Sequence, residues 1–429
     1  MLNLRKKTLA LAVAAAATLG GGISAAQAQE AVSADGYGEV ALYPYFTVRD
    51  GWRTFIHVTN TSARTVAAKV RFHAAKGSED ILDFLVVLSP YDMWTAVVEE
   101  RDGKPGVRPT DNSCTVPAIG SGTFKAFITS RVDSADDARE GYAEIIEMGT
   151  PADETNAISV AAKHDSSGVP DDCSVVVSAF GSANIANTRT VFNGAPDNEL
   201  IGKFDLINTG RAYAGASRAV MLADFTATPI VYGQFSGEWD FPTLGSGTNG
   251  VAGVNTALGA DSISNEWVLN PGINELSSWV ITFPTKSLTV EAAGDDGTPT
   301  PFEGSEDCSN EDYQDNAVPV AISLYNREEK GQDVDFSPGT GSALCYETNV
   351  VNFVDDGITS SGLLKSVVSN IVDTSVLDSP FLGGWASMAY SGATTGTVTL
   401  PGIGFNLTAR SNADGDSAVL YDHVYANRP

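Results

Sequence analysis

Residues 54–60 read TFIHVTN, and their side chains alternate between two sets, as they do along a β-strand with two different faces. Residues 61–64 are typical of a turn. Apolar side chains then return at every second position of residues 66–72, and Lys69 and Arg71 lie between them. Because successive side chains of a strand point to opposite faces, this stretch predicts two successive strands, each with one apolar face.

The same succession of strands and turns extends beyond this stretch. Residues 81–88 form a continuous apolar run that suits a strand covered on both faces, and residues 93–98 resume an extended pattern after Pro90. Strands at a spacing of roughly ten residues predict an all-β protein, and we expect β-sandwich domains of immunoglobulin-like type. Further strands are expected at residues 123–130, 141–148, 174–179, 203–208, 218–225, 278–283, 318–325, 348–353, 396–400 and 404–409.

Two loops and one helix are expected to interrupt the strands. Gly, Ser, Thr and Asn dominate residues 233–264, which predicts a long surface loop. Residues 291–316 carry nine acidic side chains and no basic one, which predicts a second, solvated loop. Residues 363–376 place Leu, Val and Ile at helical spacing after Ser360 and Ser361, so we expect one short amphipathic helix there, packed on a sheet.

The first 28 residues have the layout of a secretory signal peptide. Basic residues 5–7 precede an apolar stretch at residues 8–20, and Ala26-Gln27-Ala28 supplies a small-x-small cleavage site before Gln29. A transmembrane anchor needs about 20 apolar residues, which is more than this stretch contains. We therefore expect export to the cell surface or the extracellular medium without a transmembrane anchor, with the periplasm as the alternative.

Length and charge suggest two acidic domains. After residues 1–28 the chain is long enough for an N-terminal β-sandwich domain at residues 29–180 and a C-terminal β-rich domain at residues 181–429. The formal net charge is −27, which would repel nucleic acid, so nucleic acid is not expected as a partner.

Four cysteines follow the predicted signal peptide. In an oxidising compartment an even number indicates disulfides, and four cysteines allow three connectivities. The sequential pairing, Cys114 with Cys173 and Cys308 with Cys345, keeps one bridge in each half of the chain. A zinc site would need paired C-x2-C spacing, which the sequence does not have, so disulfides are favoured.

Motifs for catalysis are scarce. None of the four histidines has the H-x3-H or H-E-x-x-H spacing, and G-x-S-x-G does not occur. Residues 245–250 match G-x-G-x-x-G, but Phe241-Pro242 and further glycines flank them, so we interpret this match as a loop and not as a nucleotide site. A Ser-His-Asp site assembled from distant residues stays open, but we expect a protein that is not an enzyme.

Loop acids and one tryptophan are the candidate binding residues. Hard oxygen ligands favour calcium over other ions, although solvated acids explain the same pattern. The acids considered for calcium are Asp295, Asp296, Glu306, Asp307, Asp312 and Asp315. Most of the six tryptophans are expected in the core, and Trp239, beside the Gly-rich loop, is the one expected to contact a glycan.

Several phrases of the sequence are distinctive when taken together. They are YPYFTV at 43–48, LSPYDMW at 88–94, DNSCTVP at 111–117, WVITFPTK at 279–286 and YNREE at 325–329. In these phrases the chain resembles an uncharacterised family of exported proteobacterial proteins that are described only as cell-surface proteins. The resemblance implies export and surface association, and it implies no activity and no active-site residues.

We therefore expect a non-enzymatic cell-surface or extracellular protein with a structural or adhesive role. The alternative is a periplasmic or surface polysaccharide-binding module that uses loops at one end of a sandwich. A hydrolase with an unrecognised site is a third hypothesis. The expected partners are a cell-surface polymer or other surface proteins, and the sequence leaves self-assembly open.

Overall fold

The computed structural model describes residues 30–235, 241–293, 301–302, 317–337, 342–355, 362–377, 382–392, 396–397, 399–412 and 415–429. The predicted signal peptide lies outside these residues. Among the helices that are described, none has both the length and the apolar character that crossing a bilayer requires.

The first thirteen strands build two antiparallel sheets. The strands are β1 (Ala31–Val32), β2 (Val40–Thr47), β3 (Trp52–Asn60), β4 (Val66–Ala74), β5 (Asp80–Leu88), β6 (Met93–Arg101), β7 (Lys104–Pro109), β8 (Cys114–Val116), β9 (Lys125–Ala126), β10 (Glu140–Gly149), β11 (Leu200–Asn208), β12 (Tyr213–Arg218) and β13 (Val220–Ala223). The first sheet has the order β1-β13-β2-β10-β4-β5-β8, and the second has the order β12-β11-β3-β6-β7-β9. The strands predicted at residues 54–60 and 66–72 are therefore β3 and β4, and the turn between them passes from one sheet to the other.

The two sheets pack face to face around a large apolar core. Tyr43 and Phe72 of the first sheet and Ile56 and Trp94 of the second are all buried in it. Full burial of such a side chain contributes roughly 1.5–3 kcal/mol, so the alternation seen in the sequence supplies the main stabilisation of this sandwich. The all-β sandwich prediction is confirmed, while the finer immunoglobulin-like assignment stays a prediction.

Short helices cover the outer face of the first sheet. They are α1 (Ala157–Ala162), α2 (Cys173–Ala179), α3 (Ile185–Val191) and α4 (Gly250–Leu258), and α5 (Lys286–Ala293) follows later in the chain. Helix α2 packs on Ala67 and Val87, and α4 packs on Val40 and Leu42. The strand predicted at residues 174–179 is wrong, because this segment is helical and buries one side of α2 on the sheet.

The prediction of a Gly-rich loop at residues 233–264 is also wrong for part of that range. Helix α4 lies within residues 233–264 and buries Val254, Ala257 and Leu258, which are spaced three and one apart on one helix face. Its many small residues hide this helical pattern. The predicted acidic loop likewise begins inside α5, and residues 294–300 and 303–316 lie outside the described part of the chain.

The described residues of the second half of the chain add fourteen strands. They are β14 (Gly259–Ala260), β15 (Ser262–Asn270), β16 (Glu275–Thr282), β17 (Val318–Asn326), β18 (Gly331–Val334), β19 (Ala343–Leu344), β20 (Thr348–Val354), β21 (Ser369–Asp373), β22 (Gly383–Gly392), β23 (Gly396–Thr397), β24 (Leu400–Pro401), β25 (Ile403–Asn412), β26 (Gly415–Asp422) and β27 (Val424–Ala426). Their main sheet has the order β18-β17-β22-β15-β16-β20-β21, with β25 also paired to β16, β26 to β25 and β27 to β15.

This sheet bends between β15 and β16 and encloses a second core. The two strands pair only at Leu269–Leu276 and Asn270–Glu275, and Trp267, Trp279 and Phe353 fill the space between the two layers. The opposite face of β16 and β25 joins the first core, where Phe405 lies 5.5 Å from Phe204 between ring centroids. The two halves of the chain therefore share apolar contacts.

Strand pairing does not follow the predicted boundary at residue 180. Strand β11 pairs with β3 along nine residues, and β13 pairs with β2. Residues 200–223 therefore complete the first sandwich, although they lie within the predicted C-terminal domain.

The amphipathic helix predicted at residues 363–376 is wrong. Residues 369–373 form β21, which pairs in parallel with β20, and a 3-10 turn, Thr374–Leu377, follows. Leu363 and Leu364 are buried in the first core without helical structure. Pairing with β20, which ends at Val354, outweighs the helical spacing. Ile371-Val372 is also a β-branched pair that favours a strand.

Candidate functional site

The five described tryptophans differ sharply in exposure. Trp52, Trp94, Trp267 and Trp279 are almost completely buried, as expected for core residues. Trp385, by contrast, is 45% exposed. Trp239, the predicted glycan contact, lies outside the described residues. Trp385 is therefore the exposed tryptophan among the described residues, and it is not the one that the sequence singles out.

Trp385 lies in the centre of a sheet and stacks on a second aromatic ring. It is placed on β22, directly opposite Tyr325 of β17 on one side and Glu266 of β15 on the other. The Trp385 and Tyr325 rings are parallel within 6°, with 4.3 Å between their centroids. Because Tyr325 covers one indole face, the exposed area lies on the opposite face and the edges.

Close strand approach fixes the position of this aromatic pair. A Cβ atom at Gly384 would lie 1.9 Å from the backbone oxygen of Tyr325, so only glycine fits directly before Trp385. A Cβ atom at Gly383 would lie 3.2 Å from the guanidinium of Arg327, which places a cation near the platform. We call Trp385 and Tyr325 the aromatic platform.

Small polar side chains surround the aromatic platform on the same sheet face. Ser387, two residues after Trp385, accepts a hydrogen bond of 3.2 Å from Ser264 of the neighbouring strand. Ser323, two residues before Tyr325, donates a hydrogen bond of 2.7 Å to Asp333. The face thus combines an open indole ring with hydroxyl groups, which is the chemistry that a sugar ring with its C–H face and hydroxyls requires.

A period-two pattern at residues 385–390 could have revealed the platform. The residues read WASMAY, and Ala386, Met388 and Tyr390 are buried whereas Trp385 is exposed. Burial at every second position predicts a strand with Trp385 on the solvent face. The neighbouring glycines and serines weakened this signal, so no strand was predicted here.

An acid–histidine cluster brings two of the distinctive phrases together. The Nδ1 atom of His164 lies 3.5 Å from the Ser89 hydroxyl and 3.6 Å from a carboxylate oxygen of Asp92. The Ser113 hydroxyl donates to Asp111 at 2.5 Å and to Asp92 at 3.2 Å. Burial raises the pKa of Asp92, and the nearby His164 opposes this effect.

This cluster does not have the arrangement of a catalytic triad. In a triad the serine and the acid contact different nitrogens of the histidine ring, whereas Ser89 and Asp92 both face Nδ1 of His164. No proton path from Ser89 through the ring to Asp92 exists in this geometry. The expectation that the protein is not an enzyme remains a prediction.

The other histidines have separate polar partners. The Nε2 atom of His57 lies 3.0 Å from Asp205 on the neighbouring strand, and His73 lies 3.4 Å from Glu144. Burial lowers the pKa of His423 to about 4, so this ring is neutral at pH 7 and its Nε2–H donates to the Val280 carbonyl at 3.0 Å.

One of the two predicted disulfides is present in the described part of the chain. Cys114 and Cys173 are bonded, with 5.2 Å between their Cα atoms, and they join β8 to α2. Cys345 is disulfide-bonded, and Cys308 lies outside the described residues. The first predicted pairing is confirmed.

The predicted calcium ligands are not described. Asp295, Asp296, Glu306, Asp307, Asp312 and Asp315 all lie outside the described residues. In the rest of the chain, as far as it is described, no group of three or more His, Cys, Asp or Glu side chains is placed to hold a metal ion. Calcium therefore stays a prediction for those loop acids.

The G-x-G-x-x-G segment does precede a helix. Helix α4 begins at Gly250, the last glycine of residues 245–250, so the absence of a helix after this motif was a wrong expectation. The described residues 241–244 directly before the motif contain no strand. The strand that a nucleotide site needs before its glycines is therefore missing from these residues.

Comparison with known proteins adds no relative. No protein-family model, curated protein or solved structure matches this chain. The fold and the aromatic platform define an all-β sandwich protein with an exposed aromatic site, and the resemblance to the exported cell-surface family stays a prediction.

Proposed function

We propose that this chain is an exported, non-enzymatic cell-surface protein that binds polysaccharide through the aromatic platform. The observation that supports this function is Trp385, which is 45% exposed on a sheet face while stacked on Tyr325. An adhesive role would follow from the same binding, because a surface protein that holds a polymer attaches the cell to it.

The physical properties of the platform favour a glycan. Indole in water leaves a large apolar surface solvated, and a sugar ring stacked on it removes that surface from water. The strand holds the ring in place before binding, so little side-chain entropy is lost when a ligand arrives. The hydroxyls of Ser264 and Ser387 lie on the same face and can hydrogen-bond to sugar hydroxyls.

The Trp385→Ala variant is expected to bind polysaccharide at least about tenfold more weakly than the wild type, because the stacking surface is lost. Affinity electrophoresis against a panel of soluble neutral polysaccharides identifies the ligand, and fluorescence titration then measures the affinity. Tyr37→Ala is the matched control, since Tyr37 is a 44% exposed aromatic residue between β1 and β2 of the first sandwich.

The Tyr325→Phe variant removes the hydroxyl of Tyr325 and keeps the ring that stacks on Trp385. The Phe ring keeps the contact with Trp385, so the affinity is expected to stay within about threefold of the wild type. Equal binding by the wild type and Trp385→Ala, or equal weakening by Trp385→Ala and Tyr37→Ala, would contradict the proposed site. Far-ultraviolet circular dichroism checks that each variant is folded.

The proposed location has its own test. Protease treatment of intact cells is expected to degrade the protein, because a surface-bound chain is accessible from outside. Release by osmotic shock without degradation on intact cells would place it in the periplasm instead. This measurement does not depend on the ligand, so it separates the location from the binding function.

A further inference from the structure

A polar cleft of about 890 Å³ lies apart from the aromatic platform. The turn Arg49–Gly51, the first residues of β3, the connection between β11 and β12, and residue Lys365 form its walls. Its lining side chains include five cationic groups and three carboxylates. This local excess of positive charge is notable in a chain whose formal net charge is −27.

Two of the arginines in the cleft, Arg49 and Arg139, form ion pairs within the protein. Arg49 donates to Glu140 at 2.7 Å and to the Asp136 carboxylate at 2.8 Å. Arg139 lies 3.1 Å from Asp136 and also pairs with Glu100. Both guanidinium groups are therefore paired. Two of the three carboxylates that line the cleft, Asp136 and Glu100, are paired as well.

Of the other three cations, two share a single carboxylate and one has no carboxylate partner. Arg211 pairs with Asp50, and the Lys365 ammonium lies 3.5 Å from the other oxygen of the same group. Arg53 is exposed and has no hydrogen-bond or ion-pair partner among the described residues. Asp50 therefore balances one of these three positive charges, and two remain at the mouth of the cleft. The buried Glu140 offsets one of them, because Arg49 and Arg139 together face three carboxylates, so a net charge of +1 remains.

The backbone holds this arrangement in place before any ligand binds. Asp50 has a positive φ of 51°, and its carbonyl accepts a hydrogen bond of 2.9 Å from the Asn208 side chain. The other side-chain atom of Asn208 accepts from the Arg211 backbone N–H at 3.2 Å. The turn that carries Asp50 and the connection that carries Arg211 are thus fixed to each other.

We propose that this cleft binds a carboxylate-bearing sugar. Guanidinium groups match planar carboxylates with two parallel hydrogen bonds, and the volume of the cleft is in the range of small-ligand sites. Thr209, which also lines the cleft, offers a hydroxyl that can hydrogen-bond to a sugar hydroxyl. The carboxylate belongs either to a free uronic acid or to one residue of an acidic polysaccharide, and the site is independent of the platform.

The low charge density of a uronic-acid polymer distinguishes it from polyanions that carry a phosphate at every unit. The overall charge of −27 repels a polymer with a phosphate at every unit, whereas a uronic-acid chain places one carboxylate among several neutral hydroxyls per sugar. Short-range pairing with Arg53, Arg211 and Lys365 then exceeds the long-range repulsion, because salt screens the repulsion beyond about 8–10 Å.

The test uses the full exported chain and isothermal titration calorimetry with three probes. They are trigalacturonate, the monosaccharide galacturonate, and the neutral trisaccharide maltotriose. Arg53→Ala combined with Lys365→Ala is expected to weaken trigalacturonate binding at least about tenfold. Lys125→Ala combined with Lys203→Ala is the matched control, since it removes the same charge from exposed positions outside the cleft.

Each outcome decides the proposal. Binding of trigalacturonate alone, lost in the cleft variant and kept in the control, supports an acidic polysaccharide. Binding of both acidic probes with the same loss supports a free uronic acid. Equal affinity of the cleft variant and the control variant, equal binding of maltotriose, or no binding of either acidic probe would overturn the carboxylate site. The cleft is tested with acidic probes and the platform with neutral polysaccharides, so the two proposals fail separately.

Discussion

Replacing Arg71 with alanine is expected to lower the free energy of unfolding by about 3–5 kcal/mol, because it leaves a buried carboxylate without its main partner. Arg71 donates to Glu144 at 2.9 Å and to Asp80 at 3.1 Å. The Glu144 side chain is 2% exposed, and the other basic side chain near it, His73, lies 3.4 Å away. Arg71 is thus the central cation of a buried network between β4, β5 and β10.

The loss is expected to depend on pH. Burial alone would raise the pKa of Glu144, but Arg71 and then His73 outweigh burial and hold this pKa below its usual value of 4.5. In the wild type this group therefore stabilises the fold above about pH 4.5, and the stabilisation is lost as the pH falls through the lowered pKa. Without Arg71, burial dominates and Glu144 is protonated more easily, so the deficit of the variant is largest near neutral pH and shrinks in acid.

Urea unfolding followed by tryptophan fluorescence, at pH 4 and pH 7, measures this deficit. Arg101→Ala is the matched control, because Arg101 pairs with Glu99 at 2.8 Å but is 45% exposed, and exposed pairs contribute less than about 1 kcal/mol. The double variant Arg71→Met/Glu144→Gln removes both charges and is expected to recover much of the stability. Equal losses for Arg71→Ala and Arg101→Ala would show that the buried pair does not stabilise the fold.

Local alternation made the first sandwich predictable. Alternation of apolar side chains is a property of single strands, so β3 and β4 could be predicted without knowing their partners. Burial follows this alternation in β3, whereas β4 is buried on both faces because helices also cover its outer side. The continuous apolar run at 81–88 likewise corresponds to β5, which is covered on both faces. The Cys114–Cys173 bridge followed from compartment and order in the chain.

Contacts that form only between separate segments of the chain could not be predicted in the same way. Residues 363–376 have helical spacing, yet β20 pairs with residues 369–373 and makes them a strand. The cleft depends on Arg53, Arg211 and Lys365, which come together only after the sheets have packed. No spacing in the sequence relates these three residues, so an excess of cations in an acidic chain becomes visible only in the folded structure.

A group of buried glutamates is expected to make the fold less stable as the pH rises. Glu30, Glu39 and Glu147 are at most 2% exposed, and the backbone N–H of Glu147 donates to the Glu39 carbonyl at 2.8 Å. Burial and then the charge of Glu39 raise the pKa of Glu30 to about 8, and burial raises that of Glu39 to about 7. Burial, followed by Glu199 and Glu39, also raises the pKa of Glu147 well above 4.5.

The nearby cation, Arg64, does not balance the charges that ionisation of the three buried glutamates would create. Arg64 lies 2.7 Å from Glu199 and is also near Asp197, so its charge is shared with carboxylates outside the trio. Glu39 accepts a hydrogen bond of 2.7 Å from the Thr226 N–H, whereas the Glu30 oxygens accept none from the described residues. The protonated forms are therefore the ones that the fold favours.

The sign of the effect follows from proton binding. Between the ordinary glutamate pKa of 4.5 and the raised values of about 7 and about 8, the folded chain holds more protons than the unfolded chain. The free energy of unfolding therefore falls as the pH rises through this window. Since one pKa unit corresponds to about 1.4 kcal/mol, Glu30 and Glu39 each contribute on the order of a few kcal/mol to the decline.

Replacing Glu147 with glutamine is expected to flatten this decline, because an amide stays neutral at every pH and needs no bound proton. At pH 5 the variant and the wild type are expected to unfold at similar urea concentrations, and at pH 8 the variant is expected to be more stable by about 1–3 kcal/mol. Glu328→Gln, at an exposed position, is the control and should leave the pH profile unchanged. Parallel profiles for the wild type and Glu147→Gln from pH 5 to 9 would mean that Glu147 is ionised in the folded chain, with its charge balanced in spite of burial.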